Sequence, residues 1–152
     1  MTAIAFPGQG SQFVGMSRDF YDNFSEVREI YELIQDVTKI NIRQIIFDNP
    51  SDFLNQTQYT QISIFCASIS MYKILSSLPN FNKLDINFML GHSLGEYTAL
   101  CAAKILTIKE TALLLKKRGE LMQNSFESNK SGMAALIGFD SNKIENIIQK
   151  NN

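Results

Sequence analysis

An apolar run, Ile86 to Leu90, passes directly into Gly91-His92-Ser93-Leu94-Gly95, and the chain continues with Glu96 to Lys104, where Ala99, Ala102 and Ala103 permit close packing. A short apolar run bounded by a turn reads as an inner strand, and the stretch after the turn reads as a helix. Strand, sharp turn and helix with G-x-S-x-G at the turn point to an α/β fold. The turn is tight enough to strain the serine backbone, and side chains at the flanking glycines would collide with neighbouring elements. Such an elbow lifts the Ser93 hydroxyl above the sheet edge. The helix that starts beside it aims unpaired N–H groups and the positive end of its dipole at the same spot, where they stabilise negative charge developing on a carbonyl oxygen. The Leu94 N–H is the expected donor. The bland alternative is an ordinary glycine turn, and the strand and helix on either side are what favour the elbow.

Thr2 to Phe6 predicts another buried strand, ending in Pro7-Gly8-Gln9-Gly10-Ser11-Gln12. From Ser25, read as an N-cap, Val27, Ile30, Tyr31, Ile34 and Val37 fall on one face of a surface helix. Asp48 to Asp52 is a turn cluster, and Gln61 to Leu78 predicts a helix buried on much of its circumference. Thr107 and Glu110 form a capping box opening a helix towards Phe126 that carries Lys116, Lys117 and Arg118. Met133 to Phe139 reads as a strand, and Ser141 as the cap of a last helix with Ile144, Ile147 and Ile148 on one side.

Composition removes several function classes. With 14 Lys+Arg against 15 Asp+Glu the formal net charge is −1, which provides no long-range field for nucleic acid or an anionic membrane. One histidine and two well-separated cysteines do not make a zinc set of the usual spacing. Cys66 and Cys101 are flanked by apolar positions and read as reduced, buried thiols, and no signal-peptide pattern or long apolar span is visible, so a cytoplasmic protein is expected. The 152 residues fit one ordinary domain on length alone.

Two further features bear on chemistry. The PGQGSQ turn fits neither phosphate-loop nor dinucleotide-binding spacing, so nucleotide binding is not expected. It either presents the Gln9 backbone N–H as a second oxyanion donor on the rim where the elbow strand ends, or is a plain tight turn. His92 is the only imidazole. As the residue before the nucleophile it points away from the serine hydroxyl, so it is placed with Gln9 among the candidate substrate-site residues, with an orienting hydrogen bond or packing suiting it better than the role of general base.

FPGQGSQ at Phe6 to Gln12, GHSLGEY at Gly91 to Tyr97, KRGELMQ at Lys117 to Gln123 and GMAALIG at Gly132 to Gly138 together resemble the ordered landmarks of the malonyl-CoA:acyl-carrier-protein transacylase family. The resemblance implies that Ser93 takes malonyl from coenzyme A as an ester, and that the Gln9 and Leu94 amides form the oxyanion hole. It implies that Arg118 holds the malonyl carboxylate through its planar, permanently charged fork, leaving Lys116 and Lys117 as surface. Gln61 resembles a glutamine lining the family's site, with Ile62 where the family has proline. The thiol of acyl carrier protein would then accept the group. Malonyl-CoA and acyl carrier protein are thus the implied partners, and coenzyme A is a substrate with no cofactor required. The implied fold is an α/β-hydrolase-like large subdomain, incomplete here, over residues 1–128, with the first strand and helix of an inserted ferredoxin-like subdomain over 129–152. The family's catalytic histidine lies in a downstream segment with no counterpart here, so unpaired strand edges and apolar helix faces are expected. A non-catalytic remnant or interaction module and a lipase- or patatin-type serine hydrolase are the other readings. The PGQGSQ loop and Arg118 argue against the hydrolase, since a neutral acyl chain has no use for a fixed cation.

Overall fold

Two parallel strands, β1 (Thr2–Phe6) and β2 (Ile86–Gly91), pair from Thr2 opposite Ile86 to Phe6 opposite Gly91, with one register shift between Thr2 and Ala3. Both strands therefore finish on the same rim. The computed structural model describes residues 1–125, 136–138 and 140–150. A parallel pair cannot be joined by a hairpin, and the long crossover between these strands holds four α-helices: α1 (Arg18–Asn23), α2 (Ser25–Thr38), α3 (Ile42–Asp48) and α4 (Thr57–Ser77). After β2 come α5 (Leu94–Ala102), α6 (Ile108–Gln123) and α7 (Ser141–Lys150). The architecture is α/β with a parallel sheet.

The core forms around α4. This helix packs against α2, α3, α5 and α6, while α5 also covers both strands. Ile62, Ile64, Phe65, Cys66 and Ala67 are buried in succession, which no one-sided amphipathic helix would allow, so α4 is enclosed on nearly every side. Val27, Ile30, Tyr31 and Ile34 of α2 and Leu115 of α6 meet it, each fully buried aliphatic or aromatic side chain contributing about 1.5–3 kcal/mol. Asn41 caps α3 by accepting from the Gln44 N–H, and the Thr107–Glu110 box caps α6 in both directions.

Several boundaries differ from the sequence reading. Ser25 is the first residue of α2, not its cap: Phe24 holds the extended cap conformation, and the Ser25 hydroxyl donates to Glu26. Helix α4 begins at Thr57, α5 at Leu94 directly behind the elbow, and α6 stops at Gln123. Asp140, not Ser141, caps α7, its carboxylate accepting from the Asn142 N–H at 2.9 Å. Of the strand expected over Met133 to Phe139, residues 136–138 are not in strand, and 133–135 and 139 lie outside the described residues, as does the expected boundary between 128 and 129. Among the described residues β2 pairs on one side only. Its open side, with Phe88, Leu90, Leu100 and Ile105 exposed, borders a groove of about 690 Å³. No helix among the described residues is long and apolar enough to cross a membrane, and no group of metal-ligating side chains occurs among them.

Cys66 and Cys101 are both free and buried. Burial pushes the Cys66 thiol well above its ordinary value and raises Cys101 as well. Above about pH 8.5 the unfolded chain ionises its thiols while the folded chain keeps them protonated. The unfolded state then binds fewer protons, and stability falls as pH rises. The urea midpoint is expected to decline between about pH 8.5 and 10, below the ordinary tyrosine range. Cys66→Ala should flatten that slope, whatever it does to the midpoint itself, and an unchanged slope would clear Cys66 of responsibility.

Candidate active site

Between the end of β2 at Gly91 and the start of α5 at Leu94 only His92 and Ser93 remain to reverse the chain. Ser93 adopts φ 55°, ψ −110°, a conformation L-residues rarely occupy and one that costs on the order of 1–3 kcal/mol. Backbone bonds on every side hold it there. The His92 N–H donates to the Phe6 carbonyl at 3.1 Å, the Gly95 N–H to the His92 carbonyl at 2.9 Å and the Glu96 N–H to the Ser93 carbonyl at 3.1 Å. A methyl group at Gly95 would lie 2.5 Å from the Phe6 oxygen and 2.8 Å from the Pro7 oxygen, and one at Gly91 would overlap the Gly95–Glu96 peptide. Glycine is required at both. Leu94, the first residue of α5, carries one of the N–H groups that a helix start leaves without an intrahelical partner.

The PGQGSQ loop lies against this elbow. A methyl group at Gly8 would stand 2.6 Å from the His92 carbonyl and would collide with His92 Nδ1. The imidazole is thus turned to the loop. Within the loop, the Ser11 N–H and hydroxyl both donate to the Gly8 carbonyl, at 3.3 and 2.7 Å, and the Gly10 N–H donates to Gln12 Oε1 at 2.8 Å. None of these bonds uses the Gln9 N–H. The Gln9 side chain instead donates from Nε2 to Thr57 Oγ1 at 3.2 Å, which ties the loop to the first turn of α4.

Arg118 joins the elbow to the helical layer. Its Nη2 donates to Ser93 Oγ at 3.0 Å and its Nη1 to Gln61 Oε1 at 2.6 Å, with the guanidinium carbon 5.8 Å from the centre of the Tyr97 ring. Gln61 is fully buried, and its Nε2 donates to Met122 Sδ at 3.1 Å. The bond from α6 to α4 needs the two helices to run close. Gly119, the next residue after Arg118, allows this, because a methyl group there would sit 2.9 Å from Gln58 Cα and 3.1 Å from the Thr57 and Gln58 carbonyl oxygens.

The fold therefore gathers Ser93, Leu94, Arg118, Gln61 and the Gln9 loop at one end of the parallel strands, with His92 in the elbow but facing Gly8. Four contributors escaped sequence reasoning: Thr57, Tyr97, Gly119 and Met122. Tyr97 lies four residues after Ser93, and Met122 four after Arg118, so helical spacing from a candidate site residue was the available signal. Lys117 is exposed as expected, but Lys116 is not plain surface. It is half-buried, donating from Nζ to the Thr38 carbonyl at the end of α2 at 2.9 Å and standing 4.0 Å from Glu120.

The acyl transferase domain model matches residues 4–151. This chain belongs to the acyl transferase domain family. It is 37% identical over 146 residues to the malonyl CoA-acyl carrier protein transacylase of Staphylococcus aureus strain MRSA252, covering 96% of the chain and 46% of that relative. Its structure resembles the acyl-carrier-protein-S-malonyltransferase of Bartonella henselae with a TM-score of 0.87 and 38% identity, over 99% of this chain and 48% of that one. A solved complex of a type II polyketide-synthase acyl-carrier protein with its malonyl-transacylase matches with a TM-score of 0.84 and 31% identity, over 97% of this chain and 47% of that one. The acyl transferase chain thus spans about half the length of the relatives it matches.

The strain at Ser93 sets a stability test. Ser93→Gly removes the hydroxyl and relieves the positive φ, while Ser93→Ala removes the hydroxyl and keeps the strain. Ser93→Gly should be the more stable of the two by about 1 kcal/mol in urea unfolding, and a more stable alanine variant would contradict the strain.

Proposed function

We propose that this chain is the N-terminal part of an acyltransferase that moves a malonyl group from coenzyme A to the phosphopantetheine thiol of acyl carrier protein, in cytoplasmic fatty acid synthesis. The observation that carries this reading is the Arg118 guanidinium 3.0 Å from Ser93 Oγ. A fixed cation beside a nucleophilic serine has little value for a neutral acyl chain, but it matches a carboxylate one methylene away from the ester carbonyl. The likeness to a complex of a malonyl-transacylase with its acyl-carrier protein supports the choice of acceptor.

The mechanism follows from these parts. Ser93 Oγ attacks the thioester carbonyl, the N–H groups of Gln9 and Leu94 receive the charge on the carbonyl oxygen, and the coenzyme A thiolate leaves. The carrier thiol then attacks the seryl ester, the same donors serve the second tetrahedral species, and its collapse breaks the bond to Ser93 Oγ, which regains a proton and leaves malonyl on the carrier sulfur, so the scheme is ping-pong. In this scheme coenzyme A acts as a substrate and no step uses a bound cofactor. During acylation Nη2 of Arg118 exchanges the serine oxygen for a malonyl carboxylate oxygen, while Nη1 stays on Gln61. An acetyl group in the same place leaves the guanidinium without that partner, which costs on the order of 1.5–3 kcal/mol of discrimination.

The proton of Ser93 needs a base. His92 is the only histidine in the sequence, and its ring faces Gly8. We assign the base to polypeptide outside the half of the relatives' length that this chain matches, in keeping with the family resemblance. On this reading residues 1–128 belong to an α/β-hydrolase-like large subdomain and 129–152 begin a ferredoxin-like insert.

In the full-length natural gene product, incubation with malonyl-CoA should add a malonyl mass to the peptide containing Ser93, and Ser93→Ala should add none. Arg118→Ala should lower malonyl loading by about 10- to 100-fold and leave acetyl or butyryl loading within a few-fold. Equal losses for acidic and neutral acyl groups would refute carboxylate recognition.

A further inference from the structure

Gln61 is fully buried, and its amide is divided between two partners that can each play one part only. A guanidinium carries donors and no acceptor, so the Gln61 carbonyl must be the end that faces Arg118 Nη1, 2.6 Å away. The amide nitrogen then points the other way and lies 3.1 Å from the Met122 sulfur, which accepts and cannot donate. Turning the amide over would set two N–H donors against a guanidinium and a carbonyl oxygen against a thioether lone pair. Neither contact would hold. Arg118 and Met122 are four residues apart on α6 and so share one face, with Gln61 of α4 spanning them.

We propose that Met122 is a positioning residue for carboxylate recognition, its sulfur holding the Gln61 amide in the one orientation that presents a carbonyl to Arg118. The inference rests on the acyltransferase reading above and extends it to a residue that touches neither Ser93 nor substrate. With Nη1 anchored on Gln61, the Nη2 edge of the fork is aimed at Ser93 and at whatever acyl group Ser93 carries. Without the sulfur acceptor the buried amide is fixed at its carbonyl end alone and its N–H group is left unsatisfied, so the anchor under the fork loosens. Thioether sulfur is a weak acceptor, so the effect is graded, not all-or-none.

The test uses the full-length natural gene product with two substitutions. Met122→Leu keeps the volume and removes the acceptor, whereas Met122→Gln places a carbonyl oxygen within reach of the Gln61 amide. Met122→Leu should lower kcat/KM for malonyl-CoA by about three- to tenfold, mainly through KM, with neutral acyl-CoA substrates unchanged within about twofold. Met122→Gln should recover at least half of the loss. A second measurement needs no turnover: exchange of the Gln61 side-chain amide protons with water, followed by NMR, should quicken in Met122→Leu and return towards the wild-type rate in Met122→Gln. Equal losses for acidic and neutral substrates, or amide exchange indifferent to the sulfur, would overturn the proposal. If the wild-type protein loads no malonyl at all, the proposed function fails, and the exchange measurement alone decides whether Met122 holds Gln61.

Discussion

The backbone of Ser93, held at φ 55° and ψ −110°, is the constraint to which the surrounding structure answers. A chain cannot reverse from a strand into a helix through two residues without someone occupying an unfavourable conformation, and here the cost falls on the residue that carries the hydroxyl. The strand pairing of Phe6 with Gly91, the carbonyl of Phe6 that receives the His92 N–H, and the bare faces of Gly91 and Gly95 all serve to keep it there. Several contacts of ordinary strength, each worth about 0.5–1.5 kcal/mol, together exceed the strain of a single residue. The same arrangement starts α5 at Leu94, so the geometry that strains the serine also leaves the unpaired N–H groups of a helix start next to it.

The second organising feature is a charge placed from another layer. Arg118 does not belong to the sheet or the elbow; it reaches them from α6, and its aim depends on how α6 lies against α4. The buried amide of Gln61 gives the guanidinium a fixed neutral acceptor in place of water, so the head group is oriented without being neutralised by a carboxylate. A glutamate at that position would pair with Arg118 and neutralise it. The amide keeps the cation available.

How much of this was legible depends on how local each signal is. The elbow could be read because its steric demands write glycine on both sides of the serine within a few adjacent residues. The Thr107–Glu110 box could be read because two reciprocal hydrogen bonds demand those residue types three apart. Ser25 and Ser141 were misplaced by one residue, since a hydroxyl near a helix start suits the cap as well as the first turn, and the true caps were settled by the Phe24 backbone and the Asp140 carboxylate. Helix α1, with six residues and none buried, has too little periodicity to show. From composition Arg118 is one of three neighbouring cations; family resemblance singled it out, and the structure shows the amide and the hydroxyl it meets. Lys116 looked like solvent-facing charge because its partner, the Thr38 carbonyl, is far away in sequence. Contacts of this kind, here between α2 and α6, leave no local trace.

Gly119 has a consequence for how such a site can be found or altered. It contributes no atom to the chemistry, yet its missing side chain sets the distance between two helices, and that distance decides whether Gln61 and Arg118 meet. A survey that replaces charged and polar residues one at a time with alanine would pass over it. Evolution meets the same blind spot from the other side: the electrostatics of the pocket can be retuned by one methyl group on a neighbouring position, with every polar residue of the site left as it was.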